Sequence, residues 1–190
     1  MRPVDDAVVR HYETIREEDR IARGFAQLEL RRVQEVLRRH LPRPPASVLD
    51  VGGATGIHTR WLAEDGYRVR IIDITPRHVA KANADLGHLG ITAEIGDARH
   101  LQEADDSFDV VLMFGPLYHL TEYDDRIRAL REAARVVRPG GIIAVAAVNR
   151  FASLLDGLAR GFVFDHEFVE IVTRDLATGQ YRNPAERPNW

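Results

Sequence analysis

Between residues 47 and 148 short apolar runs alternate with helical periodicity, and this alternation restricts the chain more than any other feature. The apolar runs are 47–51, 68–73 (RVRIID), 91–95, 108–114 (FDVVLMF) and 142–148 (IIAVAAV). Between them lie a helical segment carrying Ile57, Trp61 and Leu62 and closed at Gly66, a second opening at Pro76 and continuing through 79–86, and a third over about 123–137 burying Ile127, Leu130, Ala134 and Val137. Strands that alternate with helices form βαβ units with right-handed crossovers, hence an α/β fold with a doubly wound, mainly parallel sheet. The last run is continuously apolar and predicts a strand covered on both faces. Arg138-Pro-Gly-Gly141 reads as the turn leading into it.

The flanks read as helical. Over residues 11–41, Ile21, Phe25, Leu28, Val33, Val36 and Leu37 recur at steps of three to five and predict one apolar helix face. Pro42, Pro44 and Pro45 end that region. Residues 151–158 and about 165–176 look helical again, and 183–190 are polar and proline-rich. A length of 190 residues suits one domain: a helical cap over 1–45, an α/β core over 46–150 and a helical, substrate-side segment over 151–190.

A net charge of −3 argues against a nucleic-acid-coating surface. Lys81 is the only lysine, and the arginines are scattered among acids, so they form no phosphate-binding patch. There is no cysteine, which excludes disulfides and thiolate metal sites, and no apolar run approaches a membrane span of ~20 residues. The opening residues lack a signal-peptide apolar region. A cytoplasmic chain without membrane association is the expectation.

Leu49-Asp-Val-Gly-Gly-Ala-Thr-Gly56 joins the first strand to the first helix of the core. Ligands of open α/β sheets sit beyond the carboxyl ends of the strands, and glycines there admit close backbone approach. The dinucleotide fingerprint fails from either glycine: from Gly52 its third position is Ile57, and from Gly53 its second is Thr55. The phosphate loop fails too, for want of a following Gly-Lys-Ser/Thr. Asp50 at the mouth of the turn would repel a pyrophosphate and favour a cation. Asp73 ends the second strand about twenty residues on, as a ribose-binding acid does. Asp97 follows the third. Acids at three successive strand ends describe a site for a ligand with ribose, an amine-bearing base and cationic groups.

In these motifs, together with Ile72-Asp-Ile74, Gly96-Asp-Ala98, Phe108-Asp-Val-Val-Leu112 and Arg138-Pro-Gly-Gly141, the chain resembles the class I S-adenosylmethionine (SAM)-dependent methyltransferases, of the group that includes the ubiquinone and menaquinone methylases. The resemblance spans about residues 46–150 and implies a Rossmann-like fold, methyl transfer, and SAM as cofactor with S-adenosylhomocysteine as product. It further implies that Gly52, Gly53 and Gly56 shape the turn around the methionine part, and that Asp50 lies near the cofactor's amino group or orders the turn. Asp73 would take the ribose hydroxyls, with Ile74 against adenine. Asp97 would accept from the adenine amine, with the Ala98 amide at the ring, and Phe114 and Gly115 would lie below the methionine. Ala54 departs from the pattern, standing where the family favours glycine.

The loop after the fourth strand, Gly115-Pro-Leu-Tyr-His-Leu120, lies where an acceptor would bind. His119 could serve there as a general base or bond the next helix instead. Tyr118 could be polar machinery or an apolar wall. Gly115 and Leu117 break the Asp/Asn/Ser-Pro-Pro-aromatic motif of methylases acting on base amines, which leaves nucleic acid disfavoured. By the resemblance the N-terminal segment covers the site, with Tyr12 and Arg23 as candidates for the methionine carboxylate. His166 sits between Asp165 and Glu167, but successive helix residues face different ways, so no metal site is expected.

The function expected is therefore SAM-dependent transfer of methyl to O, N or C of a small molecule. The alternatives are a tRNA-modifying methylase, a non-catalytic SAM-binding regulatory or assembly protein, and a nicotinamide-dependent oxidoreductase, which the failed fingerprint disfavours. The family has seven strands, the last two a hairpin, whereas five are legible here and that hairpin is missing. The expectation is a shortened or incompletely represented form of a longer protein, whose fifth strand would be an apolar edge, covered by the 151–190 segment or by a second copy in a homodimer.

Overall fold

The structure, a computed structural model, describes residues 8–10, 12–13 and 25–179. The chain divides into two compact units, residues 1–146 and 147–190.

In the first unit, α1 (Phe25–His40) precedes a strand–helix series: β1 (Ser47–Val51), α2 (Ile57–Glu64), β2 (Arg68–Asp73), α3 (Pro76–Leu86), β3 (Thr92–Ile95), β4 (Phe108–Met113), the one-turn α4 (Pro116–His119), α5 (Tyr123–Val136) and β5 (Val137–Val145). The five strands form one sheet in the order β3-β2-β1-β4-β5, every pair parallel. Strand order reverses between β1 and β4, so the carboxyl ends of those two strands flank the crevice where ligands of such sheets bind. Successive side chains of a strand point to opposite faces. Val48, Ile71, Val110 and Leu112 accordingly join Leu37, Trp61, Leu62, Ala82 and Leu86 in one core. Leu49, Val51, Ile72, Val111 and Met113 join Ala129, Ala133 and Val136 of α5 in another. The result is a sheet between two helical layers, the doubly wound α/β arrangement that the alternation predicts.

Four expectations need correction, the first being the buried face of α5: Ala134 is exposed, Ile127 and Leu130 are half-buried, and Ala129, Ala133 and Val136 take the core positions. Arg138-Pro-Gly-Gly141 lies inside β5 and is not a separate turn. Phe108 pairs with Val137 and Val110 with Ile142, so several residues of β5 bulge outward opposite one of β4. Arg138 pins the bulge by donating to Asp109 Oδ1 at 2.6 Å and to the Asp106 and Ser107 carbonyls at 3.1 Å. Nor is β5 buried as deeply as its apolar run predicts: Ile143 and Ala144 pack against the two cores from its opposite faces but stay half-buried, and it ends at Val145, which is 46% exposed. It is the edge strand of this sheet and has β4 as its neighbour on one side. Finally, the apolar face of α1 is narrower than its spacing suggests. Leu37 is buried and Val33 packs beside it, whereas Leu28 is 66% exposed and Val36 also faces solvent. Ile21 lies outside the described residues, as does the side chain of Phe25.

The second unit contains α6 (Ala152–Arg160) and α7 (His166–Thr178). Asp165 caps α7 by accepting from the amides of Glu167 and Phe168. Ser153 donates to the buried Asp175 at 2.7 Å, tying the helices together. Gly157 lets them approach, because a Cβ there would fall 2.2 Å from the Phe168 ring. Among the described residues no helix is long and apolar enough to cross a membrane.

Candidate active site

The glycine turn leaves β1 at its carboxyl end. Gly52 has φ 72°, and a Cβ on it would stand 2.7 Å from Pro116 Cδ. Its positive φ and this close approach both require glycine, and the approach seats the start of α4 directly on the turn. A Cβ on Gly53 would meet the Asp50 carboxyl group at 2.7 Å. Gly53 therefore makes room for that acid. Ala54 takes φ 48°, a left-handed conformation that costs a side-chain residue ~1–2 kcal/mol. The departure from the family pattern is thus tolerated at the price of strain, and it is held by the bond from the Ala54 amide to Asp73 Oδ2 at 2.9 Å.

Asp50 is 1% exposed and accepts from the Thr59 hydroxyl at 2.7 Å. Burial pushes its carboxyl group up to about 6; the Thr59 bond opposes this and the neighbouring Asp73 charge adds to it. Its carboxyl group thus ties the end of β1 to the first turn of α2. Asp73 is also buried, its Oδ1 accepting from the Thr75 amide at 2.8 Å and standing 3.3 Å from His78 Nδ1. Ile74 beside it is half-buried.

Asp97 remains partly exposed, and Arg99 folds back onto it: the Arg99 amide and Nε donate to Oδ1 at 2.8 and 2.9 Å, and Nη2 donates to Oδ2 at 2.5 Å. Burial raises this carboxyl group, but the Arg99 bonds and charge outweigh it and leave it below the usual value. Ala98 packs against the core beneath.

At the end of β4, Phe114 meets the His58 ring edge-on at 5.0 Å. His58 Nδ1 is buried with no hydrogen-bond partner among the described residues, and burial pushes the ring down to about 4. A neutral imidazole beside the glycine turn repels no cation. A Cβ on Gly115 would stand 3.1 Å from the Gly52 carbonyl, so this loop and the glycine turn touch.

Tyr12, from the N-terminal segment, reaches this same crevice. Its hydroxyl and His119 Nε2 share a hydrogen bond of 2.8 Å. Its ring lies 5.2 Å from that of His78, and Arg77 Nη1 donates to its carbonyl at 3.0 Å. Tyr118 is 43% exposed and its ring stands 4.8 Å from His119. The structure therefore brings Tyr12, Tyr118 and His119 together beside the glycine turn and its acids. Arg23 lies outside the described residues.

Sequence reasoning passed over His58, Thr59, His78 and Arg99. Arg99 carries a local signal, since an acid followed two residues later by its own backbone donor forms a side-chain turn. The other three are positioned by helices packing on the sheet, which no spacing reveals.

These groups fit a nucleoside carrying a cationic amino-acid tail. Acids stand at the ends of β2 and β3, an uncharged ring lies beside the turn, and Gly52, Gly53 and Gly56 place no side chain at their positions in it. Residues 48–141 match the family model described as a methyltransferase domain. The chain is 34% identical over 142 residues to a demethylmenaquinone methyltransferase of Beutenbergia cavernae, covering 74% of this chain and 55% of that protein. It is 39% identical over 110 residues to a 2-methyl-6-phytyl-1,4-hydroquinone methyltransferase of Synechocystis, covering 56% and 33%. The chain thus spans about a third to a half of the length of these curated relatives. A SAM-dependent methyltransferase structure from Mesorhizobium loti is 28% identical, with a TM-score of 0.55 over 62% of this chain and 54% of that one. Fold, turn and matched family agree, and the chain belongs to the class I SAM-dependent methyltransferases, with SAM as their cofactor.

Proposed function

We propose that this chain transfers the methyl group of SAM to a small-molecule acceptor, with the reacting atom held at the loop after β4. The observation that carries the reading is the joining of His119 and Tyr12 beside the glycine turn and the strand-end acids. Asp73 would hold the ribose hydroxyls with Ile74 against adenine, and Asp97 with the Ala98 amide would meet the base. Gly52, Gly53, Ala54 and Gly56, ordered by Asp50, would surround the methionine part, with Phe114 and Gly115 beneath it.

Bound SAM supplies an electrophilic methyl group on a positively charged sulfur. What the chain contributes is alignment of the nucleophile, which can lower the barrier by up to ~7–11 kcal/mol. If the acceptor is a hydroxyl or an acidic carbon, it must lose a proton. His119 is the base proposed for it, oriented by the Tyr12 hydroxyl and walled by Tyr118. The curated relatives named above are methyltransferases of menaquinone and hydroquinone compounds by name, and a phenolic or quinol acceptor, methylated on O or C, is the first class to test.

The test is methyl transfer to a panel of hydroquinones and phenols, read as S-adenosylhomocysteine formed. His119→Ala should lower turnover by roughly 10²-fold or more, the range of general-base catalysis, with cofactor affinity nearly unchanged. Equal turnover in the variant would return His119 to a purely structural part.

A further inference from the structure

Arg99 is almost enclosed, with 12% of its side chain exposed. It forks onto Asp97 on one side, and through Nη1 it donates to Asp125 Oδ2 at 3.1 Å on the other. Asp125 is buried on the first turn of α5 and also accepts from Arg128. Of the two carboxylates that Arg99 joins, Asp97 is the more open, its side chain 36% exposed against 6% for Asp125.

A guanidinium that grips a carboxylate through two nitrogens fixes its plane as well as its charge. The lone pairs turned toward Arg99 are taken. A group arriving from solvent must meet one of the outer lone pairs in the carboxylate plane, and it must be a donor, because an ionised carboxylate only accepts. The exocyclic amine of an adenine lies in the plane of its ring and meets both conditions. The 6-carbonyl of a hypoxanthine is coplanar too but fails the second condition, since it brings lone pairs against lone pairs.

We infer that Arg99 is a positioning residue that holds Asp97 ionised and in plane, and thereby makes the base subsite select a 6-amino purine over a 6-oxo purine. This rests on the methyltransferase reading, which puts the base of the cofactor at Asp97. Arg99 touches no ligand in this scheme; it acts through Asp97. Its second anchor on Asp125 keeps the fork from swinging out with the loop that bears it. Without Arg99 the carboxylate is free to rotate, and it can take up a proton to donate to a carbonyl.

The probes are S-adenosylhomocysteine and S-inosylhomocysteine, titrated calorimetrically into the wild type, Arg99→Gln and Arg99→Lys. The wild type should prefer the adenosyl compound strongly. Arg99→Gln should reduce that preference by about tenfold, equivalent to about 1.4 kcal/mol. Arg99→Lys keeps a cation between Asp97 and Asp125, and with it the fold, but has no fork; its preference should fall between the two. Loss of affinity for both compounds in equal proportion, in either variant, would overturn the inference and leave Arg99 a structural ion-pair partner. A wild type that binds neither compound would instead overturn the methyltransferase reading itself.

Discussion

Asp50 occupies a costly environment for a carboxyl group. It is enclosed, it faces the Asp73 carboxylate, and a single hydroxyl bond from Thr59 is the contact that favours its ionised form. With its folded value near 6 and an unfolded value near 3.8, the folded state holds the extra proton between those limits. Stability then falls as pH rises through that window, by up to roughly 2–3 kcal/mol. Asparagine keeps the shape without the charge. Chemical denaturation of the ligand-free protein should show Asp50→Asn gaining on the wild type from pH 4 to 7. A constant difference across that range would show that the acid ionises freely in the fold. The turn was legible in the sequence because Gly-Gly-Ala-Thr-Gly is a local word, and so were the acids that follow strands. The contacts that set their state were not. Tyr12 and His119 lie 107 positions apart, and Asp50 meets Thr59 because helix α2 turns its first face back toward the strand.

At the scale of elements, close approach decides more than propensity does. Gly157 sits in the middle of α6, where alanine would add ~1 kcal/mol of helix propensity. Its Cβ would stand 2.2 Å from the Phe168 ring, and forcing a methyl into packed side chains costs ~1–3 kcal/mol. The clash should win, so Gly157→Ala should lower the melting temperature. A variant as stable as the wild type would show that α6 and α7 have slack between them. The same contrast explains which elements the sequence revealed. β1, β2 and β4 each carry a buried apolar stretch, Val48 with Leu49, Ile71 with Ile72, and Val110 through Met113, because helices cover both faces there, and they stand where the runs predict. β5 is apolar too, but its position at the sheet edge leaves it half-exposed, and the bulge at Arg138 follows from bonds to β4 that only the paired strands disclose. The apolar residues of α1 predict one continuous face, yet among the described side chains Leu37 and Val33 meet the core while Leu28 and Val36 face solvent, because one sheet presents one surface to the helix.

For the whole molecule, the strand order places the site. Reversal of the order between β1 and β4 opens a crevice at their carboxyl ends. Every group proposed to bind or react comes from the ends of β1, β2, β3 and β4, from the helices that follow them or from the N-terminal segment. The same crevice in other doubly wound folds takes dinucleotides, and the acids rather than the topology argue for a different ligand here. Carboxylates at Asp50, Asp73 and Asp97, with no basic group in the glycine turn, disfavour a pyrophosphate and suit a ribose, an amine and a cation. Calorimetric titration of SAM and of the nicotinamide dinucleotides, side by side into the same protein, tests this most directly. The account predicts SAM binding at micromolar dissociation constants and no heat from the dinucleotides. Saturable dinucleotide binding with no response to SAM would contradict it.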